Sequence, residues 1–177
     1  MPTNVTGLPP NKITTADPDT LLGQICELQD LDYSAYPPAP LSNADVRYMR
    51  VRASGTVLAN QALIWVSGYE GLRVQTAGLA DAPVGFAPPW NATIATGNHF
   101  QMIRHGLCKV ITDGSGALAV GDVIVTAASG KVKIQTATTA SGTLAQVQVN
   151  SRAGRMRVAL AATADLTGRA LVDCTSN

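Results

Sequence analysis

Charged side chains are scarce in this sequence. Lys, Arg, Asp and Glu make up 14% of its 177 residues, against about 25% in ordinary globular chains. The two signs nearly cancel, with 13 Lys+Arg facing 12 Asp+Glu. A chain that holds nucleic acid by its phosphates usually carries a basic excess, so this balance argues against a nucleic-acid partner. Aromatic residues are only 5%, and the interleaving on which bases stack is missing. Cys26, Cys108 and Cys174 are odd in number, far apart and in no C-x-x-C pair. That argues against a disulfide framework and a cysteine-rich zinc site, and fits buried or idle thiols made in a reducing cytoplasm. No apolar run has membrane-spanning length, and the N-terminus has no apolar signal core. The expectation is a soluble protein with no membrane partner.

Reactive constellations are missing as well. His99 and His105 are the two histidines. Six positions apart along an extended strand, they are expected on one face but too distant to share a metal directly. Asp113-Gly114-Ser115-Gly116 lacks the Lys-Ser/Thr of a phosphate-binding loop and leads into a strand, so it reads as a tight connection. There is no G-x-S-x-G elbow, and no cysteine carries a nucleophile signature. Glu27, Asp30 and Asp32 cluster near the N-terminus, where a solvated acidic face is the default reading. The expectation is a protein that is not an enzyme and takes no cofactor or metal.

Hydrophobic residues are 46%, enough for a domain with a real core. The surface must then be dressed in Thr, Ser, Ala, Gly, Asn and Gln, which is easier to bury against another protein than ions are. The clearest stretch is Leu118 to Ile134. Val123-Ile124-Val125 is a β-branched run, Ala128-Ser129-Gly130 a small turn, and Lys131 to Ile134 alternate polar and apolar. Together these predict one β-hairpin.

Residues 1–44 read as an extended arm. Prolines fall at 2, 9, 10, 18, 37, 38 and 40, leaving little room for regular structure. Leu21, Leu22, Ile25 and Leu28 have the spacing of a short amphipathic helix. Tyr33 and Tyr36 are candidate anchors if the arm lies across a neighbouring subunit; the alternative is a leader that merely precedes the domain. From residue 45 to 162 the pattern is β: Val46 to Ala53, Ala62 to Val66, Leu72 to Gln75, Val84 to Ala87, Phe100 to Ile111, Val147 with Val149, and the alternation at Met156, Val158 and Leu160. Short strands with Gly-rich turns between them predict a mainly β, hairpin-rich barrel or sandwich. Residues 163–177 form a small, polar tail, either a last strand or a second arm.

A faint repeat runs at an offset of about 60 residues. Leu72-Arg73-Val74-Gln75-Thr76-Ala77 aligns with Val132-Lys133-Ile134-Gln135-Thr136-Ala137, and Ile64 with Ile124. Chance in an Ala/Thr-rich chain is one explanation. The other is a duplication whose two hairpins pack as halves of one barrel. Arg47, Arg50, Arg52, Arg152, Arg155 and Arg157 make one basic patch if their strands are neighbours. They are either a solvated face or a surface that docks on an acidic protein. Arg47, Arg50 and Arg52, with Tyr33 and Tyr36, are the candidate contact residues.

The run A-x-G-D-V-I-V-T-x-x-x-G-K-V within Gly114 to Ile134 resembles small tailed-phage proteins that accompany the major capsid protein. Gly106 to Val110, G-x-x-x-V, precedes it, and Ala153-Gly154-Arg155-Met156-Arg157-Val158-Ala159-Leu160 resembles the closing segment of the same domain. The resemblance covers roughly residues 55–160 and implies a capsid decoration, or cement, protein with a β-tulip-like domain. Such proteins sit outside the icosahedral shell, commonly as homotrimers, and bridge capsomers of major capsid protein against internal DNA pressure. The resemblance implies synthesis in the host cytoplasm and a place on the virion exterior. It brings no catalytic residue. The rival readings are a tail, baseplate or fibre-associated module, and a carbohydrate-binding module with Trp65, Trp90, Tyr69 and Tyr48 as its platform.

Overall fold

A computed structural model of the chain describes residues 11–15, 21–32, 39–135 and 152–174. These residues are mainly β, as the alternating patterns predict. In chain order the strands are β1 (Ile25–Asp32), β2 (Ala39–Ala53), β3 (Val57–Leu58), β4 (Ala62–Trp65), β5 (Arg73–Thr76), β6 (Gly85–Phe86), β7 (Thr93–Ile94), β8 (His99–Ile111), β9 (Val123–Thr126), β10 (Val132–Ile134), β11 (Arg152–Met156) and β12 (Thr167–Asp173).

Two long strands frame the molecule. β2 and β8 run antiparallel from Arg47 opposite His105 to Arg52 opposite His99. From β2 the pairings pass to β5, β4 and β6 and return to β8, so five strands close a ring. Met49, Val51 and Ala53 of β2 alternate with polar neighbours and share one buried cluster with Leu63, Val74, Phe100 and Met102. Burying that many large apolar side chains is the main stabilisation of this ring, at roughly 1.5–3 kcal/mol for each fully buried Val, Leu, Phe or Met.

The C-terminal half of β8 belongs to a second ring. It pairs with β12, then β11, β9 and β10 follow. Val132 of β10 comes back to Thr112, just past β8, in a parallel bridge. The N–H of Asp113 donates to the Val132 carbonyl at 3.0 Å. Mostly even-numbered residues line this ring: Cys108, Val110, Ile124, Val132, Met156, Ala170 and Val172 are all buried in one cluster, together with Ala153 beside the register shift in β11.

A β-bulge lets one strand serve both rings. Tyr48 stands opposite Ile103, but Arg47 stands opposite His105, leaving Arg104 as an extra residue. The insertion reverses the alternation. Before it, Phe100 and Met102 face the first core; after it, Cys108 and Val110 face the second, on the side of Ile103. Arg104 spans the junction, donating to the Val84 carbonyl at 3.1 Å and to the Cys174 carbonyl at 2.6 Å. Gly106 follows with φ +110, and a Cβ there would sit 2.8 Å from the Asp45 carbonyl oxygen. Only glycine lets β2 come this close.

The hairpin expected at Leu118 to Ile134 forms as β9 and β10 around a tight turn at Ala128–Gly130. The aligned segment forms the β4–β5 hairpin. The two hairpins are not halves of one barrel, since each belongs to a different ring. They touch where the Gly130 N–H donates to the Ala77 carbonyl at 2.7 Å.

Three expectations are corrected and one open choice is decided. The helix through Leu21 to Leu28 does not form, because Ile25–Asp32 pairs with β2 as a strand. Isolated short helices are marginal, and the same residues offer Cys26 and Asp30 as a buried face at period two. β2 runs through position 44 without a break, so residues 25–32 and 39–44 are part of the sheet, not of an arm. Of the two readings of the tail, the last strand is the one that forms: it supplies β12, paired on both sides in the second ring. The alternating strand through Met156, Val158 and Leu160 stops at Met156, and Leu160 makes only an isolated bridge to Leu118. Val147 and Val149 lie outside the described residues.

Candidate docking surface

The three arginines of β2 meet three different fates. Arg47 is exposed and ion-paired with Glu27 of β1. Arg50 is fully buried, which corrects its assignment as a contact residue: it has no surface to offer a partner. Its guanidinium donates to the Lys12 carbonyl and to Thr14 Oγ1, both at 2.8 Å. It thereby clasps the segment 11–15, which also pairs through Thr14 with the backbone of His99. Ile13 packs against the first core. Arg52 is half-buried, and its Nε donates to the Gly97 carbonyl at 3.2 Å. Tyr33 and Tyr36 lie outside the described residues.

The single basic patch does not assemble, because β8 and β12 separate β2 from β11 in the sheet. Arg155 turns instead to the Gly121 carbonyl, at 3.1 Å. A different arginine joins Arg52. The parallel pairing of β2 with β5 sets Arg52 beside Arg73. Ala53 and Val74, their neighbours along each strand, are buried in the first core, so both arginines point outward from the ring. The Arg73 guanidinium lies 4.0 Å from the centroid of the Tyr69 ring, in cation–π geometry. Tyr69 and Leu72 are 44% and 41% exposed, large values for residues of their size held in an ordered turn.

That turn is braced by its own backbone. The Tyr69 carbonyl accepts the N–H groups of Leu72 and Arg73 at 3.1 and 3.0 Å, and the Val66 N–H donates to the Arg73 carbonyl at 3.0 Å. Glu70, at the tip, accepts the Gly68 N–H at 3.0 Å. Backbone N–H groups, its own first and then that of Gly68, hold its carboxyl below the ordinary carboxylate range.

Other candidate groups are arranged for structure. His99 is buried and His105 lies 3.4 Å from Asp173. The expectation that both share a face is corrected by the Arg104 bulge, which sets them on opposite faces of β8. Asp30 is buried in an ion pair with Arg169 rather than solvated. All three cysteines are free and buried. Burial pushes the Cys26 thiol up to about 11 and that of Cys174 up to about 12. The four aromatics of a carbohydrate platform do not come together on the surface. Tyr48 is buried with Trp90 tilted against it at 6.2 Å, while Trp65 packs on the first core. Among the described residues no three His, Cys, Asp or Glu side chains are grouped to hold a metal, and no helix is long and apolar enough to cross a membrane.

No family model matches the chain, and no curated protein matches it. Among solved structures it is similar to the head fiber gp8.5 N base of bacteriophage phi29. The TM-score is 0.51 at 15% identity, over 72% of this chain and 93% of that one. What the two share is a fold. The likeness spans nearly the whole of the fiber base.

Sequence reasoning found Arg52, named Tyr69 only as part of a carbohydrate platform, and missed Arg73 and Leu72. Arg73 and Leu72 were legible as part of a strand. Nothing local signals that a parallel pairing brings that strand beside β2, since parallel neighbours need a long crossover.

Proposed function

We propose that this chain is a structural protein of a phage virion, fixed to the outside of the head by contacts with the major capsid protein. The observation that carries the reading is the fold, shared with the N base of a phage head fiber over 93% of that base. The scarcity of charge fits a surface destined for contact with other proteins, and the buried thiols are chemically idle at neutral pH. Binding, not catalysis, is the role these features serve.

The finer reading is that of a cement protein acting as a homotrimer. Around a symmetric oligomer, modest contacts combine through effective concentration, so weak single contacts suffice for the whole to hold. The test has two parts: solution mass by light scattering, then sedimentation with purified capsids of the phage whose genome carries this gene. A trimer that pellets with shells supports cementing, provided that particles lacking the protein lose their DNA at a lower temperature. A monomer that ignores shells sinks the reading.

The fiber-base neighbour favours a second reading, in which the β unit is the mount for a projecting element. Under it, particles lacking the protein keep their thermal stability and lose only that projection in micrographs.

A further inference from the structure

We infer that the Tyr69–Arg73 turn, with Arg52 beside it, is the face by which this chain docks, and that its partner is a carboxylate-bearing segment of the capsid shell. The inference rests on the head-attached reading above and adds to it the site and the chemistry of the contact. Three observations converge.

The first is charge. Arg52 and Arg73 stand side by side on the outer face of the first ring, and among the described residues neither forms an ion pair. Arg47 pairs with Glu27, Lys131 with Asp165 and Arg169 with Asp30. Glu70, the acid nearest in sequence to Arg73, is engaged by the Gly68 N–H. Two adjacent positive charges are thus left for a partner's carboxylates, which guanidinium groups bind in two-pronged geometry.

The second is composition. Tyrosine and arginine dominate the energetics of protein contacts when flanked by apolar surface, and here Tyr69, Arg73 and Leu72 are neighbours with both Tyr69 and Leu72 exposed. The third is rigidity. The backbone bonds within Val66–Arg73 and the stacking of Arg73 on Tyr69 hold these side chains before any partner arrives, so little ordering entropy is lost on docking. A net charge of +1 over the chain favours a local acidic surface over nucleic acid as the occupant.

The experiment is sedimentation of the full-length protein with purified capsids of its own phage, for the wild type, Tyr69→Ala, Arg73→Glu, Arg73→Gln and Arg157→Glu. Arg157 is exposed and follows β11 in the second ring, so its variant matches the charge change at a distant place. Melting temperatures and solution masses are recorded for each. The inference predicts that Arg73→Glu and Tyr69→Ala bind shells about tenfold more weakly or worse, that Arg73→Gln is intermediate, that Arg157→Glu binds as wild type, and that wild-type binding weakens as salt rises.

Undiminished binding by both Arg73→Glu and Tyr69→Ala overturns it. So does equal weakening by Arg73→Glu and Arg157→Glu, which would mean a diffuse charge effect, and so does a changed solution mass in Arg73→Glu, which would make this face a contact between copies of the chain. Failure of the wild type to bind shells at all is a separate result, and it removes the head-attached reading together with this face.

Discussion

Asp30 of the first strand and Arg169 of the last form an ion pair across 139 positions of sequence. Asp30 is 4% exposed, while the Arg169 side chain keeps about a quarter of its surface in water. Among the described residues β1 pairs only with β2 in the sheet, yet this contact fastens it to β12, beyond β8. The pair therefore draws the N-terminal strand over the second ring.

Arg169→Ala takes the guanidinium away from a buried carboxylate. Breaking buried pairs from one side costs about 3–5 kcal/mol, and the partial exposure of Arg169 places this case at about 3 kcal/mol or less, since water screens part of it. The double variant Asp30→Leu with Arg169→Met is expected to recover most of the loss, because no charge remains buried. Urea unfolding of the singles and the double measures both. Equal destabilisation in single and double variants would show that packing, not charge, holds β1.

The Arg50 clasp is testable by proteolysis. Lys12 is exposed and its carbonyl is held by Arg50. Trypsin must draw the 12–13 bond into an extended conformation, which the clasp resists. Arg50→Met is expected to speed cleavage after Lys12 severalfold while costing about 1–3 kcal/mol in global stability, the range for lost bonds to a charged donor. Mass spectrometry of the digest reads the first, a melt the second. An unchanged cleavage rate would mean that Ile13 and the Thr14 bridge hold the segment alone.

The three thiols give a pH prediction. Burial raises Cys26 from the ordinary thiol value of 9.0 to about 11 and Cys174 from 9.0 to about 12, and it places Cys108 well above that ordinary value. The folded state thus keeps its protons where the unfolded chain loses them. Their contribution to stability is fully present below pH 9 and is lost as pH rises from there through about 11 to 12. Because the thiolate is the reactive form, native protein at pH 8 is expected to resist iodoacetamide and to label only as fast as it unfolds. Rapid labelling of the native protein would contradict the burial of all three.

Gly130→Ala tests the contact between hairpins. Gly130 has φ +68, and an added Cβ would lie 2.8 Å from Thr76 Cγ2 and 2.9 Å from the Ala62 carbonyl oxygen. Backbone strain of this kind costs of order 1–3 kcal/mol, and the clash adds to it. The expected signature is a lower melting temperature with weakened amide protection at residue 130, whose N–H donates to the Ala77 carbonyl, and at Ala77, whose own N–H donates to the Ala62 carbonyl that the new Cβ crowds. Amide protection at residue 130 and at Ala77 that matches wild type would show that the rings do not rely on this contact.

Much of this molecule was legible from its sequence. The mainly β fold, the hairpin at Leu118 to Ile134 and the turn at Ala128–Gly130 follow from local chemistry: β-branched runs, alternation of period two and small residues at bends. The spacing of the cysteines argued against a disulfide framework, and all three are free. What the tertiary structure alone decided is which face of each strand meets a core. Arg47, Arg50 and Arg52 look alike in the sequence, yet one is paired at the surface, one buried and one placed beside Arg73. Asp30 sits among acids and is buried by an arginine 139 positions away. The reason is physical. Alternation is set by neighbours along the chain, but its phase is set by pairing across it, and one extra residue at Arg104 reverses that phase so that a single strand can line two cores.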